Sequence, residues 1–426
     1  MPFIQDIDHC FSDAIGPDGL ARDSFEATLA ATAPTLAFLR RRFDERSLPL
    51  LGLPGRRDDL EPLAAVARVL RGRYSDIVIL GAGGSSLGAQ ALTALAGAKG
   101  PRLHFPDNLD GHGFAALLSG LKMRESCFLA ISKSGGTAET LAQTLAAMAA
   151  CVDAGLEAAV ASHFLFISQP GDSAMRRLAA RWGIAVLDHD PGLGGRYSVL
   201  SLVGLLPALL CGLDAGRVRG GAEAVLDQML TAREPRQAPP AVGAALAVAM
   251  TRDNGLGTHV LMPYVDRLER FAMWYRQLWA ESLGKDGHGS LPVRALGPVD
   301  QHSQLQLYLD GPADKFFTLI TAESRGTGPA IATDLANDPA LGYLAGRTIG
   351  DLVAAEAEAT AATLARRGRP VRRIRLKHLN EATIGALLMH FMLETIIAGG
   401  LLGVDPFDQP AVEEGKRLAR STLEAQ

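Results

Sequence analysis

The chain has 426 residues, of which 48% are hydrophobic and 21% are charged. This composition excludes a disordered or fibrous protein, and the length predicts two or three folded domains. The 42 Lys and Arg residues against 46 Asp and Glu residues give a net charge of only −4, so we expect neither nucleic acid nor an anionic membrane as a partner. Glycine is enriched, at 46 residues, which is typical of tight turns where backbone approaches a ligand.

The cysteines and the N-terminal sequence indicate the cellular compartment of the protein. The four cysteines, Cys10, Cys127, Cys151 and Cys211, show no CxxC spacing. In a chain of this length they predict neither a disulfide-stapled secreted scaffold nor a zinc site. The first residues, MPFIQD, are acidic where a signal peptide needs a basic and then an apolar run. We therefore expect a cytoplasmic protein.

Residues 1–48 form the first predicted unit. Phe25, Leu29, Leu36 and Phe43 recur near helical spacing, interrupted at Pro34. The segment contains no motif with recognisable chemistry. We predict a helical N-terminal arm that packs on the rest of the protein.

Short apolar runs alternate with helix-length segments from residue 49 onward. Continuous apolar runs of this length suit strands that are buried on both faces of a parallel sheet. Four such runs are Ile77–Leu80, Cys127–Ile131, Phe164–Ile167 and Ile184–Leu187. The alternation predicts an α/β protein with doubly wound parallel sheets, whose first domain spans 49–230.

A polar, proline-bearing stretch at 231–240 predicts a boundary, and the alternation resumes beyond it. His259–Tyr264 and Phe316–Thr321 are predicted strands, while Glu269–Ser282 and Asn380–Ala398 are predicted helices. A second α/β domain is therefore expected over 241–426.

Two glycine-bearing turns directly follow predicted strands. The first turn, residues 81–88, reads GAGGSSLG, and the second, residues 132–140, reads SKSGGTAET. A turn that opens a helix presents backbone N–H groups to an anion. For the first turn, a dinucleotide site or a turn without a ligand remains possible; for the second, Ser134 or Thr137 could simply cap the helix. Ligands of open sheets gather at the carboxyl ends of the strands, which favours a phosphate site formed by both turns.

Four charged or titratable residues further along the chain could carry acid–base chemistry. Arg196 follows two glycines in a third turn, residues 194–198, and enters an apolar run. Glu281 ends an aromatic-rich helix, His302 opens another helix, and Lys416 follows a proline-punctuated stretch. Proton transfer and anion stabilisation need such side chains. Each alone also has a structural alternative: a helix-end arginine, a solvated carboxylate, a structural histidine or a surface lysine.

Taken together and in order, these motifs resemble the phosphoglucose isomerase family, over most of residues 77–416. The resemblance is carried by Gly84-Ser85, Ser132-Lys133-Ser134 with Thr137, Gly194-Gly195-Arg196-Tyr197-Ser198, Glu281-Ser282 with Gly284-Lys285, Gln301-His302-Ser303, and Pro406-Phe407-Asp408-Gln409-Pro410 with Gly415-Lys416. Leu283 stands where the family often has Asn, and Ala411 where Gly is common. Neither position transfers a proton, so these departures bear on substrate fit rather than on chemistry.

The resemblance implies two flavodoxin-like sugar-isomerase (SIS) domains, a homodimer with shared active sites, and no cofactor or metal. It implies reversible isomerisation of glucose 6-phosphate and fructose 6-phosphate by ring opening and proton transfer through a cis-enediol(ate). Glu281 would be the base between C1 and C2, Arg196 would stabilise the enediolate, and His302 and Lys416 would assist ring opening. The implied substrate-binding residues are Gly84, Ser85, Ser132, Lys133, Ser134, Thr137, Gln277 and Gln409, with Glu139 orienting His302.

Three other functions remain open on the sequence. A dual glucose/mannose phosphate isomerase would share the same motifs. A non-catalytic sugar-phosphate sensor would share the fold, although Glu281, His302 and Lys416 together argue against it. A nucleotide-dependent dehydrogenase would need an acidic residue about 20 residues beyond the glycine turn, and Asp107 lies close to that place.

Overall fold

Two parallel-stranded sheets organise the chain. The computed structural model describes residues 2–97 and 99–425, so Met1, Ala98 and Gln426 lie outside the described residues. The strands are β1 Phe3–Asp6, β2 Asp76–Leu80, β3 Arg102–His104, β4 Ser126–Ile131, β5 Phe164–Ser168, β6 Ala185–Asp188, β7 Thr258–Pro263, β8 Leu291–Arg294, β9 Lys315–Ala322 and β10 Val371–Leu376. The predicted α/β class with two parallel sheets is confirmed.

The first sheet has the strand order β3-β2-β4-β5-β6, with all neighbouring strands parallel. Counted within the domain this is 2-1-3-4-5, the flavodoxin-like order. The strand order reverses between β2 and β4, so the crevice outside their carboxyl ends is the place where such sheets bind ligands. The first and second glycine turns directly follow these two strands.

The second sheet repeats this order and borrows its last strand from the N-terminus. Its order is β1-β10-β9-β7-β8, with β1 antiparallel to β10 and the other pairs parallel. Phe3 pairs with Leu376, and Asp6 with Arg373. The arm predicted over 1–48 is therefore not wholly helical: a four-residue strand precedes its helices.

Helices cover both sheets and the space between them. Their bounds are Ser12–Ile15, Arg22–Ala30, Ala33–Asp44, Pro49–Gly52, Leu60–Arg73, Leu87–Thr93, Gly111–Gly120, Ala138–Asp153, Val160–His163, Ala174–Trp182, Leu202–Leu210, Ala215–Thr231, Pro239–Asn254, Glu269–Leu283, Val299–Ser303, Leu305–Asp310, Ile349–Arg366, Glu381–Leu402 and Glu413–Glu424. The helix expected after the first turn ends at Thr93, whereas the sequence predicts it to Ala98, which lies outside the described residues. Ala215–Thr231, placed by the prediction at the end of the first domain, packs along Glu381–Leu402 of the second.

One helix forms the centre of the second domain. Within the described residues, Glu381–Leu402 is long and apolar enough to cross a membrane, but 89% of its apolar window is buried inside the protein. It carries the buried carboxylate of Glu394, which accepts hydrogen bonds from Arg372 Nη1 and Nη2 of β10, both at 2.7 Å. His390 Nε2 lies 3.0 Å from Glu394 Oε2, and all three side chains are at most 1% exposed. This ion-paired cluster joins β10 to the core helix.

Candidate active site

The second turn presents an uncapped helix end at the switch point. Thr137 is the N-cap of the helix Ala138–Asp153, yet no side chain caps this helix. The Thr137 hydroxyl lies instead 2.9 Å from the buried Ser132 hydroxyl. The capping alternative for Thr137 is therefore not realised, and the first N–H groups of the helix receive no side-chain cap, which leaves them able to meet an anion.

Glycine is required in the second turn by both backbone and space. Gly135 has a φ of +64°, and a Cβ there would lie 2.3 Å from the Ser173 hydroxyl. Ser134, one residue earlier, is exposed, and its hydroxyl accepts from the Gly136 N–H at 3.3 Å. The turn thus collects three hydroxyl groups and exposed amides with no bulky side chain intervening, which suits a phosphomonoester.

Lys133, in the second turn, lines a cleft. The cleft has a volume of about 860 Å³, and its lining includes Gly194, Pro406 and Phe407. Partial burial lowers the pKa of Lys133, while the negative charge of Asp190 acts in the opposite direction. A cation so placed adds a positive field to the second turn.

Arg196 is the centre of a buried polar cluster. Its side chain is 3% exposed, and its Nε donates to the Ser282 hydroxyl at 2.9 Å. Nη2 donates to the carbonyls of Pro406 at 2.7 Å and Asp408 at 2.8 Å. Nη1 donates to Gln409 Oε1 at 2.6 Å and lies 3.4 Å from Glu281 Oε2. We call these groups the Arg196 cluster; its guanidinium is fixed on every edge.

Glu281 stands in the last turn of the helix Glu269–Leu283, with its side chain 34% exposed. Its Oε1 accepts from Gln277 Nε2, one helical turn earlier, at 3.0 Å. Gln277 Oε1 is buried and has no hydrogen-bond partner among the described residues, so a ligand hydroxyl could donate to it. A half-exposed carboxylate beside a fixed guanidinium can take a proton from a carbon acid while the cation faces the developing negative charge.

Two glycines join the first turn to this cluster. A Cβ on Gly84 would lie 2.2 Å from the carbonyl carbon of Gly195 and 2.5 Å from Arg196 N. On the neighbouring Gly83, which has a φ of +55°, a Cβ would lie 2.7 Å from Gln277 Nε2. Ser85 closes the same short 3-10 turn. The first turn therefore sits in direct backbone contact with the third turn, which carries Arg196.

Three residues expected at the site do not join the cluster within one chain. His302, Glu139 and Lys416 are all exposed, and Lys416 pairs with Glu413 at 2.7 Å. His302 lies eight residues beyond the end of β8, in the short helix Val299–Ser303, and no hydrogen bond or ion pair among the described residues joins it to Glu281.

The structure adds polar residues to which the sequence assigned no role. Tyr197 is buried with its hydroxyl 3.0 Å from that of Ser282 and 3.2 Å from the Pro406 carbonyl, and burial raises its pKa to about 12. Lys285 pairs with Asp408. Both residues stand inside the sequence motifs that carry the family resemblance, but their partners become visible only in three dimensions. Gln409, expected to contact sugar hydroxyls, accepts a hydrogen bond from Arg196 Nη1 at 2.6 Å.

Metal-ligating residue types do not cluster in the part of the chain that is described. Among residues 2–97 and 99–425, no three His, Cys, Asp or Glu side chains lie close enough together to hold a metal ion. Asp107, the residue a dinucleotide site would use, accepts from Gln90 Nε2 at 2.7 Å.

Comparison with known proteins gives a consistent result. A family model described as phosphoglucose isomerase matches residues 70–291 and 340–426. A glucose-6-phosphate isomerase of Rubrobacter xylanophilus is 38% identical, with 87% of this chain and 88% of the relative covered. One from Thermus thermophilus is 36% identical over 94% of this chain and 97% of its own. A solved structure described as a hypothetical protein from Thermus thermophilus is 34% identical, covers 99% of this chain and 100% of its own, and superposes with a TM-score of 0.86.

Proposed function

The chain belongs to the phosphoglucose isomerase family and reversibly isomerises glucose 6-phosphate and fructose 6-phosphate, and we propose that it does so at the Arg196 cluster. The observation that supports this location is the placement of the Glu281 carboxylate 3.4 Å from the Arg196 guanidinium. Starting from open-chain fructose 6-phosphate, Glu281 removes the proton from C1, and the electron pair forms the C1–C2 double bond of an enediolate. The same carboxyl group returns the proton to C2, while a proton moves from O1 to O2.

Arg196 supplies the cation that this intermediate needs. The enediolate charge appears only along the reaction coordinate, so a guanidinium fixed in advance stabilises the transition state more than the ground state. Five acceptor groups of the protein already fix the plane of the guanidinium. The Nη1 edge, shared by Gln409 and Glu281, faces the base and is the edge that substrate oxygen would meet.

The two glycine turns hold the substrate by its phosphate. Ser132, Ser134 and Thr137 offer hydroxyl donors, and the start of the helix Ala138–Asp153 offers amides without a side-chain cap. Because the first turn touches both the Arg196 backbone and Gln277, binding the phosphate there places the sugar carbons toward Glu281. A phosphate site contributes to catalysis mainly by holding the reacting carbons within reach of the base.

Substitution of Glu281 by Gln tests the assignment of the base. The amide keeps the shape but accepts no proton, so kcat should fall by at least ~10²-fold while the KM for fructose 6-phosphate changes little. Glu269→Gln, at the other end of the same helix, is the matched control and should retain activity. Undiminished isomerisation by the Glu281 variant would refute the role.

We further propose that the enzyme is a homodimer in which His302 from one copy completes the site of the other. Within one chain His302 is exposed, and no hydrogen bond or ion pair among the described residues joins it to the Arg196 cluster. The C-terminal helix Glu413–Glu424, which carries Lys416, exposes Leu418 at 62% and Leu423 at 70%. An amphipathic helix without a cover on its apolar face is explained by packing against a second copy.

Mixing two inactive variants tests the shared site. Glu281→Gln and His302→Gln proteins, unfolded together and refolded, would form mixed dimers with one intact site each. Random pairing then restores activity to roughly one site in four. Each variant refolded alone is the control. No recovered activity, with dimers present by analytical ultracentrifugation, would show that each site uses only its own chain.

Substrate range and compartment are also proposals. A coupled assay with mannose 6-phosphate beside fructose 6-phosphate separates a strict glucose-6-phosphate isomerase, which we favour, from a dual enzyme. The same assay on protein treated with a chelator should show full activity, since the proposed steps use side chains alone. We place the enzyme in the cytoplasm, in keeping with four cysteines that are all free, three of them buried; fractionation of the source cells tests this.

A further inference from the structure

Lys285 occupies an unusual position for a lysine. It follows the helix that carries Glu281, and its side chain is only 10% exposed. Its ammonium group lies 2.7 Å from Asp408 Oδ1 and also donates to the carbonyl of Asp405. A lysine that gives up most of its hydration needs such partners.

The partners of Lys285 flank the segment that orients Arg196. Residues 405–409 supply three of the acceptors around the guanidinium: two backbone carbonyls and the side chain of Gln409. Lys285 contacts this segment at two places. The first is Asp405, which directly precedes the acceptor carbonyl of Pro406, and the second is Asp408, whose own carbonyl is also an acceptor for Arg196. Lys285, which follows the helix that carries Glu281, thus helps to fix the position of residues 405–409 against Arg196.

We propose that Lys285 is a positioning residue for catalysis, which acts through residues 405–409 to keep the Arg196 guanidinium in register with Glu281. The inference rests on the proposed function of the Arg196 cluster. Loss of the ammonium group frees the segment, because Asp408 is 55% exposed and its side chain can turn into water. Arg196 then follows its carbonyl acceptors, and the cation no longer meets the enediolate at the required distance.

A simple structural ion pair would behave differently from a positioning residue. It would lower stability and leave the turnover of the folded enzyme unchanged. A positioning residue lowers kcat, because an error of ~1 Å near the reacting atoms can cost up to ~10²-fold. It has little effect on KM, since the phosphate is held by the turns of the first domain.

The test is steady-state kinetics with fructose 6-phosphate on Lys285→Met and Lys285→Arg. The Met variant should lose about 10- to 100-fold in kcat with KM within about twofold, and the Arg variant should recover most of that loss because it keeps the charge. Lys315→Met is the matched control: Lys315 is 11% exposed and pairs with Asp314, and its contacts are Asp314 and Pro312, outside the Arg196 cluster.

Asp408→Ala provides a second, independent variant. It removes the ion pair with Lys285 from the other side, keeps the backbone carbonyl of Asp408, and changes a half-exposed side chain, so it tests the idea even where Lys285→Met does not fold. Because Lys285 keeps its contact with the Asp405 carbonyl, we expect a smaller loss of kcat than in the Met variant, and we expect the double variant to be no worse than Lys285→Met, as coupled residues require.

Three results would overturn the proposal while wild-type protein isomerises the sugar: normal kcat in Lys285→Met, a loss confined to KM, or no recovery in Lys285→Arg. Normal kcat in Asp408→Ala would overturn it equally. Inactive wild-type protein would refute the proposed function instead.

Discussion

Substitution of Gly84 by alanine should damage catalysis through the backbone. The added Cβ would lie 2.2 Å from the carbonyl carbon of Gly195 and 2.5 Å from Arg196 N, whereas ordinary contact begins at 3.4 Å. Both neighbours are backbone atoms, so no side chain can rotate away. The third turn has to retreat by about 1 Å, and the Arg196 guanidinium moves with it.

The magnitude follows from this displacement. Arg196 Nη1 now lies 2.6 Å from Gln409 and 3.4 Å from Glu281, and a shift of about 1 Å breaks the first contact and misaligns the second, for a loss of roughly 10²-fold in kcat. Overpacking costs a further ~1–3 kcal/mol of stability. The assay is steady-state isomerisation of fructose 6-phosphate, together with thermal denaturation by circular dichroism.

Gly72→Ala is the matched control for this experiment. It makes the same change within the helix Leu60–Arg73, where a Cβ meets nothing within 4 Å. Alanine should stabilise that helix by ~0.5–1 kcal/mol and leave kcat unchanged. If Gly84→Ala retained wild-type kcat, the argument from backbone contact to Arg196 would be refuted.

Further predictions concern the guanidinium, the buried ion pair and acid stability. Arg196→Ala should lower kcat more than it raises KM; a change in KM alone would make Arg196 a ground-state binder. Arg372→Met should cost ~3–5 kcal/mol in urea denaturation by leaving the buried Glu394 carboxylate without its guanidinium partner, and adding Glu394→Gln should restore part of this. Burial lowers the pKa of His259 to about 4, so the stability it contributes is complete above pH 6.5 and is lost as the pH falls toward 4. Burial acts to raise the pKa of Glu394, but the charge of Arg372 and hydrogen bonds from His390 and Arg372 hold it at about 2, so denaturation scans should show a second loss between about pH 4.5 and 2.

Strands whose residues are all apolar and buried could be predicted from the sequence, whereas the apolar run Ile184–Leu187 corresponds to the edge strand β6, whose residues are exposed or half-buried. Ile77–Leu80 and Phe164–Ile167 are apolar throughout and lie inside the first sheet. Strand β10, Val371–Leu376, contains three arginines, and no local pattern marks it as central. It is buried because Arg372 finds Glu394 on a helix 22 residues later, a pairing that no local window can contain.

The residues of the site likewise fall into those that the sequence could predict and those that it could not. The motifs identified Arg196 and Glu281 as chemistry-bearing residues, because their types and order carry information. That Gln409 and two carbonyls surround the guanidinium depends on the path of residues 405–409, which sequence spacing does not determine. That His302 makes no hydrogen bond or ion pair to the Arg196 cluster within one chain, among the described residues, likewise emerges only from the folded structure.

The N-terminal strand has a consequence for the timing of synthesis. Residues 3–6 are made well before their partners on β10, residues 373–376. At ~5–20 residues per second, β1 waits roughly 20–75 s before it can pair. The first domain can close in that interval, whereas β1 stays unpaired until β10 has been made. Nascent chains should therefore acquire protease resistance in two steps, the later one after the synthesis of β10.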